Sequence, residues 1–417
     1  MDKQFRCLIC NCVVDGHSVD LHKSSFHHDI KHYGLMWPLG VEYGINRDLR
    51  PVPICESEVI AETLGVGKVY VRDEGMNFSG SMKDYSVERA VKLGRESGHE
   101  VFFIVSSGNH AVSLAKYVVK NGARAVVFIP ATSSKIGMLS SMCNVYVVGV
   151  KEAIFEDVYS LVAGMNLEGF YNANVSNEFL LSGFAPIAEQ IASLDPIPTH
   201  ILAGVGNGSY LAGIALALDG LVATLPKIVP VGMAGAFPTE IAFEGSGYLE
   251  EYQEFRVDEH AIDAAEGSIA IASYSMPQLM HAVYLSGGFP LGDLLNEDLG
   301  LAYELLAKDG NLVEQGVVPE PTGIMGLAAA LKHKERFSKN DVILIGFTGH
   351  GVKDMDGIRR VAPSLAKFLT RKAMEKRPDL LVGEHAVRED RILYVNKTIL
   401  AGDLKSLIEQ MIGGDKP

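Results

Sequence analysis

The chain has 417 residues, and at about 100–200 residues per domain that length holds two or more structural units with large cores, not a small disulfide-stapled module. Its 37 Lys and Arg stand against 51 Asp and Glu, a formal charge of -14, so the field of the whole chain repels a phosphate backbone and no nucleic-acid partner is expected. With 47% hydrophobic and 21% charged residues and 43 glycines, the composition is that of a globular α/β protein and excludes disordered and collagenous classes.

Residues 1–49 read as an N-terminal Cys/His-rich extension. They open without the apolar stretch and small-residue cleavage site of a leader, so a cytoplasmic address is expected. They carry Cys7, Cys10, Cys12, five histidines (His17, His22, His27, His28, His32) and the sole tryptophan, Trp37. The cysteine total of five is odd and three crowd this end, which argues against a disulfide framework. A closed zinc site would need a fourth ligand from His17, His22, His27 or His28, since no second Cys-x-x-Cys exists; no metal is expected.

From Lys68 onward, short β-branched runs alternate with segments of helical period. The first strand, residues 68–71, leads into Asn77-Phe78-Ser79-Gly80-Ser81-Met82-Lys83-Asp84 and a helix with Val87, Ala90 and Val91 on one face. Small residues there let the backbone approach a ligand, and a lysine at a helix start sits in positive dipole that lowers its pKa, which suits it to Schiff-base chemistry. Taken alone, the segment also fits an N-cap turn with a solvated lysine. Strand 101–105 runs into Ser106-Ser107-Gly108-Asn109-His110, then a helix whose Ala111, Leu114, Ala115 and Val118 form one stripe. That turn presents N–H groups and hydroxyls to a carboxylate, more polar groups than a cap needs; His110 is read as packed or capping.

Strands are predicted at 125–129 and 145–148. Residues 196–218 carry no Asp, Glu, Lys or Arg, long enough to raise a membrane helix. Pro198, Asn207 and four glycines favour a buried strand (200–203), a tight loop and a buried helix, so no membrane partner is expected. The loop, Gly204-Val205-Gly206-Asn207-Gly208-Ser209-Tyr210, permits the left-handed geometry in which consecutive N–H groups converge on a phosphate. Strands 228–233 and 342–347 follow, the last ending in Thr348-Gly349-His350-Gly351-Val352-Lys353-Asp354. Near-continuously apolar strands imply parallel sheets covered on both faces, with ligands at strand ends. After Pro363 the chain reads helix, strand (391–395), helix.

Together the four motifs resemble those of fold-type-II pyridoxal-phosphate enzymes, and within that superfamily the sequence is similar to threonine synthase, over residues 50–354. Asn77 to Asp84 matches the family's Asn-Pro-Thr-Gly-Ser-Phe-Lys-Asp, which implies that Lys83 binds pyridoxal 5'-phosphate and is the catalytic lysine. The resemblance further implies that Asn109 meets the cofactor's O3′ and that Gly206, Asn207, Gly208 and Ser209 hold its phosphate. Thr348 would lie beside the pyridine nitrogen, and Ser106, Ser107 and Gly108 would take the substrate carboxylate. A neutral hydroxyl at the ring nitrogen suits elimination and replacement over transamination. The expected fold is two open twisted, mostly parallel sheets flanked by helices. In the expected division, residues 50–82 with 164–363 form a large cofactor-binding domain, 83–163 a small inserted α/β domain, and 364–417 a C-terminal extension.

The resemblance implies an amino-acid lyase, most like the conversion of O-phosphohomoserine to threonine and phosphate, in a homodimer acting on a small-molecule substrate. Where threonine synthases read the substrate phosphate with an arginine and a lysine, this sequence has Leu180 and Ala185. A relative with another substrate, of the serine or threonine dehydratase or β-replacing synthase kind, therefore stays open. Lys135 or Arg72 would have to rebuild the clamp. A non-catalytic cofactor-binding protein is the remaining alternative, against which the retention of Lys83 argues. The opening cysteines are similar to the rubredoxin-like start of some threonine synthases.

Overall fold

The computed structural model describes residues 4–7, 12–15, 36–39, 51–106, 108–133, 136–163, 165, 167–175, 177–235, 265, 275–380, 387–399 and 401–414. The chain divides into two units, Met1–Met82 with Leu181–Leu381, and Lys83–Leu180 with Val382–Pro417. In chain order the strands begin with β1 (Gln4–Cys7), β2 (Val13–Asp15), β3 (Met36–Leu39), β4 (Ile54–Glu56) and β5 (Lys68–Asp73). Then come β6 (Val101–Val105), β7 (Arg124–Pro130), β8 (Val145–Lys151), β9 (Phe170–Asn172) and β10 (His200–Gly204). The last are β11 (Lys227–Met233), β12 (Leu291–Leu294), β13 (Val342–Phe347) and β14 (Ile392–Asn396).

The first unit holds a six-stranded sheet in the order β12-β11-β10-β13-β5-β4. It is parallel except for β4, which runs antiparallel to β5. Every residue of β10 and β13 is buried, as strands covered on both faces require. Helix Pro321–Lys332 packs on these two strands, and its first turn comes so close that a Cβ on Gly204 would lie 2.5 Å from the Thr322 carbonyl oxygen. This unit also contains an antiparallel β2-β1-β3 sheet, in which the Cys7 N–H donates to the Cys12 carbonyl at 2.9 Å. Helix Pro363–Lys376 buries Ala366, Leu369 and Ala373 at the spacing of one helical stripe.

The second unit is built on an all-parallel sheet, β14-β8-β7-β6-β9. Its helices Lys83–Glu96 and Asn109–Lys120 bury the stripes legible in the sequence: Val87, Ala90 and Val91 on the first, Ala111, Leu114, Ala115 and Val118 on the second. The C-terminal strand β14 pairs with β8, and helix Ala401–Gly414 buries Leu404, Ile408 and Ile412 four residues apart.

Each strand expected from the sequence is present, extended at an end by one to three residues in most cases. The short β1 to β4, β9 and β12 were not expected; runs of three or four residues carry too little pattern to register. The uncharged run 196–218 is strand, loop and helix, and among the described residues no helix is long and apolar enough to cross a membrane.

Candidate active site

Strand β5 ends in Asp73, whose Oδ1 accepts the Gly75 N–H at 2.9 Å and caps a short turn, Glu74–Met76. Glu74 is fully buried and receives three donors. Arg72 Nε (2.6 Å) and the Tyr210 hydroxyl (2.8 Å) reach Oε1, and Asn77 Nδ2 (2.7 Å) reaches Oε2. Arg72, also fully buried, donates from its NH1 to Gln190 Oε1 at 2.6 Å. A buried charge needs this degree of pairing, and removing one partner of such a set costs about 3–5 kcal/mol. The effect is to tie the first turn of helix Ser209–Leu218, through Tyr210, to the loop that leads to Lys83.

That loop turns at Gly80, where φ is +77° and a Cβ would lie 2.5 Å from Leu380 Cδ1. It then pairs with the segment after β13. Met82 N–H donates to the Thr348 carbonyl and His350 N–H to the Gly80 carbonyl, both at 2.9 Å, making an antiparallel bridge between Ser81 and Gly349. Thr348 is thereby fixed beside the residue that precedes Lys83, and it is buried.

In the second unit Lys83 is the first residue of its helix and half-buried. The next residue, Asp84, is fully buried and accepts from the Ser113 hydroxyl at 2.6 Å, which joins the lysine helix to helix Asn109–Lys120. The latter starts after Gly108, an extended N-cap with no side chain to offer the first turn. Ser106 Oγ accepts the Gly108 N–H at 3.2 Å. Asn109 opens the helix, half-buried, and Ser107 lies outside the described residues. His110 is buried, its Nε2 has no hydrogen-bond partner, and burial with the charge of Lys83 holds its pKa well below the usual imidazole value. The ring is therefore neutral at neutral pH and offers an unused polar atom near Lys83.

Back in the first unit, β10 ends at Gly204 and helix Ser209–Leu218 starts after Gly208. Gly208 has φ +84°, open to glycine at no steric cost, and a Cβ there would also lie 3.0 Å from two atoms of Leu279. Gly206 and Asn207 are half-buried and Ser209 is buried at the start of a wholly buried helix. A helix N-terminus capped by glycine alone leaves its N–H groups to an anion.

The expected site residues thus fall into two sets, Gly206, Asn207, Gly208, Ser209 and Thr348 in the first unit and Lys83, Ser106, Gly108 and Asn109 in the second. Glu74 and Asp73 were not singled out in the sequence, although two acids ending an apolar strand are a signal for a buried network. Arg72 is fully buried and donates to Glu74 and Gln190. Lys135 lies outside the described residues, as do Cys10 and the five early histidines. Among the described residues no group of three or more His, Cys, Asp or Glu side chains is gathered as metal ligands. Leu180 and Ala185 are both buried.

Comparison with known proteins agrees with this architecture. Residues 45–349 match the model of a family described as pyridoxal-phosphate dependent enzyme. A threonine synthase of Methanocaldococcus jannaschii is 27% identical over 328 residues, 76% of this chain and 78% of that protein. A threonine synthase of Methanosarcina acetivorans is 27% identical over 315 residues, 72% of this chain and 75% of that one. Among solved structures, the processed form of threonine deaminase isoform 2 from Solanum lycopersicum superposes with a TM-score of 0.58 at 18% identity, covering 76% of this chain and 88% of the other. Maize serine racemase superposes at 0.58 with 19% identity, covering 78% and 94%.

Proposed function

The chain belongs to the family of pyridoxal-phosphate dependent enzymes, and within it we propose a threonine-synthase-like enzyme that eliminates or replaces a group at Cβ or Cγ of a small α-amino acid. The residues present fit the cofactor. The turn at Gly208 has a backbone that a side chain would strain, and it leaves a helix N-terminus without a side-chain cap, as a bound phosphate requires. The unpartnered His110 Nε2 near Lys83 marks a second place where polar groups await a ligand.

In this reading Gly206, Asn207, Gly208 and Ser209 hold the phosphate through N–H groups and a hydroxyl, and Asn109 donates to the ring oxygen O3′. Ser106, Ser107 and Gly108 take the substrate carboxylate at the start of helix Asn109–Lys120. When bound, pyridoxal phosphate supplies the electron sink for charge developing at the substrate Cα. Lys83 Nζ anchors the cofactor and, as a free amine, moves the proton at Cα and then at Cβ. Thr348 offers the pyridine nitrogen a neutral hydroxyl in place of a carboxylate, which favours elimination over transamination.

The observation that carries this reading is the backbone bridge between Ser81 and Gly349, which seats the Thr348 loop against the lysine loop. A homodimer in the cytoplasm goes with it, and light scattering on the purified chain checks the assembly. A second reading, with a substrate other than O-phosphohomoserine, is favoured by the burial of Leu180 and Ala185, neither of which brings a cation to a phosphate.

Borohydride reduction of the cofactor-loaded chain followed by peptide mapping tests the assignment. The label is expected on Lys83. Lys83→Ala should lose label and turnover while folding stability stays within about 0.5 kcal/mol. A label that persists on another lysine would sink the assignment.

A further inference from the structure

We infer that Arg377, which lies beyond the family-matched residues 45–349, is a positioning residue for the loop that presents Lys83. The inference rests on Lys83 being the cofactor lysine. A guanidinium has five N–H donors in one plane, and in Arg377 all five are spent. Nε and one NH2 donor go to the two oxygens of Asp379 at 2.9 and 2.8 Å. NH1 donates to the carbonyls of Gly75 and Asn77, the latter at 3.0 Å, and NH2 reaches the Phe78 carbonyl at 3.4 Å.

The group is buried and pairs on one side with a carboxylate that is 56% exposed, so the carboxylate faces water while the loop carbonyls receive the remaining donors. Neighbouring carbonyls are held in the same way: Lys353 Nζ reaches the Ser79 carbonyl at 3.3 Å and His350 N–H the Gly80 carbonyl at 2.9 Å. Leu380 fills the space where Gly80 lacks a side chain. Residues 377–380 therefore lie along residues 75–80, and the carbonyls of Gly75 and of Asn77 to Gly80 are bound, up to the residue pair before Lys83. Six loop residues without these donors would sample many backbone states, and the lysine at their end would inherit that freedom. A lysine at position 377 keeps the charge but has three donors on one atom and spans neither three carbonyls nor the Asp379 carboxylate at once.

Three full-length variants, Arg377→Lys, Arg377→Gln and Asp379→Ala, test this by titration with pyridoxal phosphate, following the visible absorbance of the lysine-linked cofactor, alongside thermal melts and steady-state kinetics. The expected result is cooperative melting with cofactor affinity reduced about tenfold in both Arg377 variants, a displaced absorbance maximum, and kcat lowered more than KM is raised. Asp379→Ala, at an exposed position, should move the same quantities in the same direction by a smaller factor. Variants that fold and bind cofactor with the parent's affinity and spectrum overturn the inference. Should the Arg377 variants fail to fold, the result for Asp379→Ala decides by the same criterion. A parent that carries no borohydride-fixed cofactor on Lys83 fails at the earlier step and overturns the functional reading together with this one.

Discussion

Behind the lysine loop Gly75 is flanked by two ionisable side chains: a Cβ there would lie 2.7 Å from Asp73 Oδ1 and 2.9 Å from His350 Cδ2. Burial pushes the Asp73 carboxyl up to about 7 against the Gly75 N–H bond that favours the anion, with Glu74 adding to the rise and Arg377 and Lys353 opposing it. Burial also pulls His350 down to about 4, helped by Arg377 and Lys353. The two have opposite consequences for stability. Asp73 binds its proton more tightly in the folded chain, so its contribution is fully present below about pH 3.8 and is lost as the pH rises to about 7. His350 binds its proton less tightly when folded, so its contribution is present above about pH 6.5 and is lost as the pH falls to about 4. In Asp73→Asn only the His350 slope survives. The variant should gain on the parent by about 3 kcal/mol between about pH 5 and about pH 8, read from urea midpoints at each pH. A difference that does not move with pH would mean that Asp73 is ionised throughout.

At the level of elements, two joints decide whether the units keep their form. The first is the turn into helix Ser209–Leu218. Gly208→Ala places a Cβ on a left-handed residue and against Leu279, a strain of about 1–2 kcal/mol before the contact is counted. Because the same turn is proposed to hold the phosphate, cofactor affinity should fall about tenfold or more, measured by equilibrium titration; unchanged affinity would place the phosphate elsewhere. The second joint is the edge of the smaller sheet, where Gly149 of β8 meets Tyr394 of β14: a Cβ on Gly149 would lie 2.8 Å from Tyr394 Cδ1. Gly149→Val should push the C-terminal strand off and expose β8, lowering the melting temperature and raising hydrogen exchange in residues 145–151 first. Exchange that rises uniformly across both units would refute that order.

Substrate choice belongs to the whole molecule, because it depends on cations that different elements bring. Leu180 lies within the 3-10 stretch Glu178–Phe184 and belongs to the second unit, and Ala185 opens a helix of the first; both are buried apolar residues. Arg72 is buried and donates to Glu74 and Gln190. Charge-assisted bonds to a phosphate are worth about 1.5–3 kcal/mol each, and two losses weaken binding by about 10²–10⁴-fold. O-Phosphohomoserine is accordingly expected to have a lower kcat/KM than the best of serine, threonine, O-phosphoserine and O-acetylserine. If instead it has the highest value, with threonine and phosphate as products, the altered-substrate reading is wrong and another cation supplies the clamp.

Local pattern alone determined a good deal here. Continuous apolar runs such as 342–347 leave no face for water, so they read as parallel strands between helices, and glycine-rich turns after such strands read as anion loops because only backbone N–H groups remain to bind there. The four motifs likewise carried the family and its cofactor. What no local pattern could decide is which distant groups meet. Glu74 looks like an ordinary turn acid until β5 and helix Ser209–Leu218 are adjacent and it gains Arg72, Tyr210 and Asn77. Arg377 lies about 300 residues from the carbonyls it binds, and nothing in its neighbours along the chain signals them. Residues 391–395 read as a strand, but only the sheet order shows them as the third neighbour in line from β6 outward, paired to β8. Periodicity records whether a residue faces water; it carries no information on the partner, which is set by long-range strand order and by which buried polar groups must be satisfied at once.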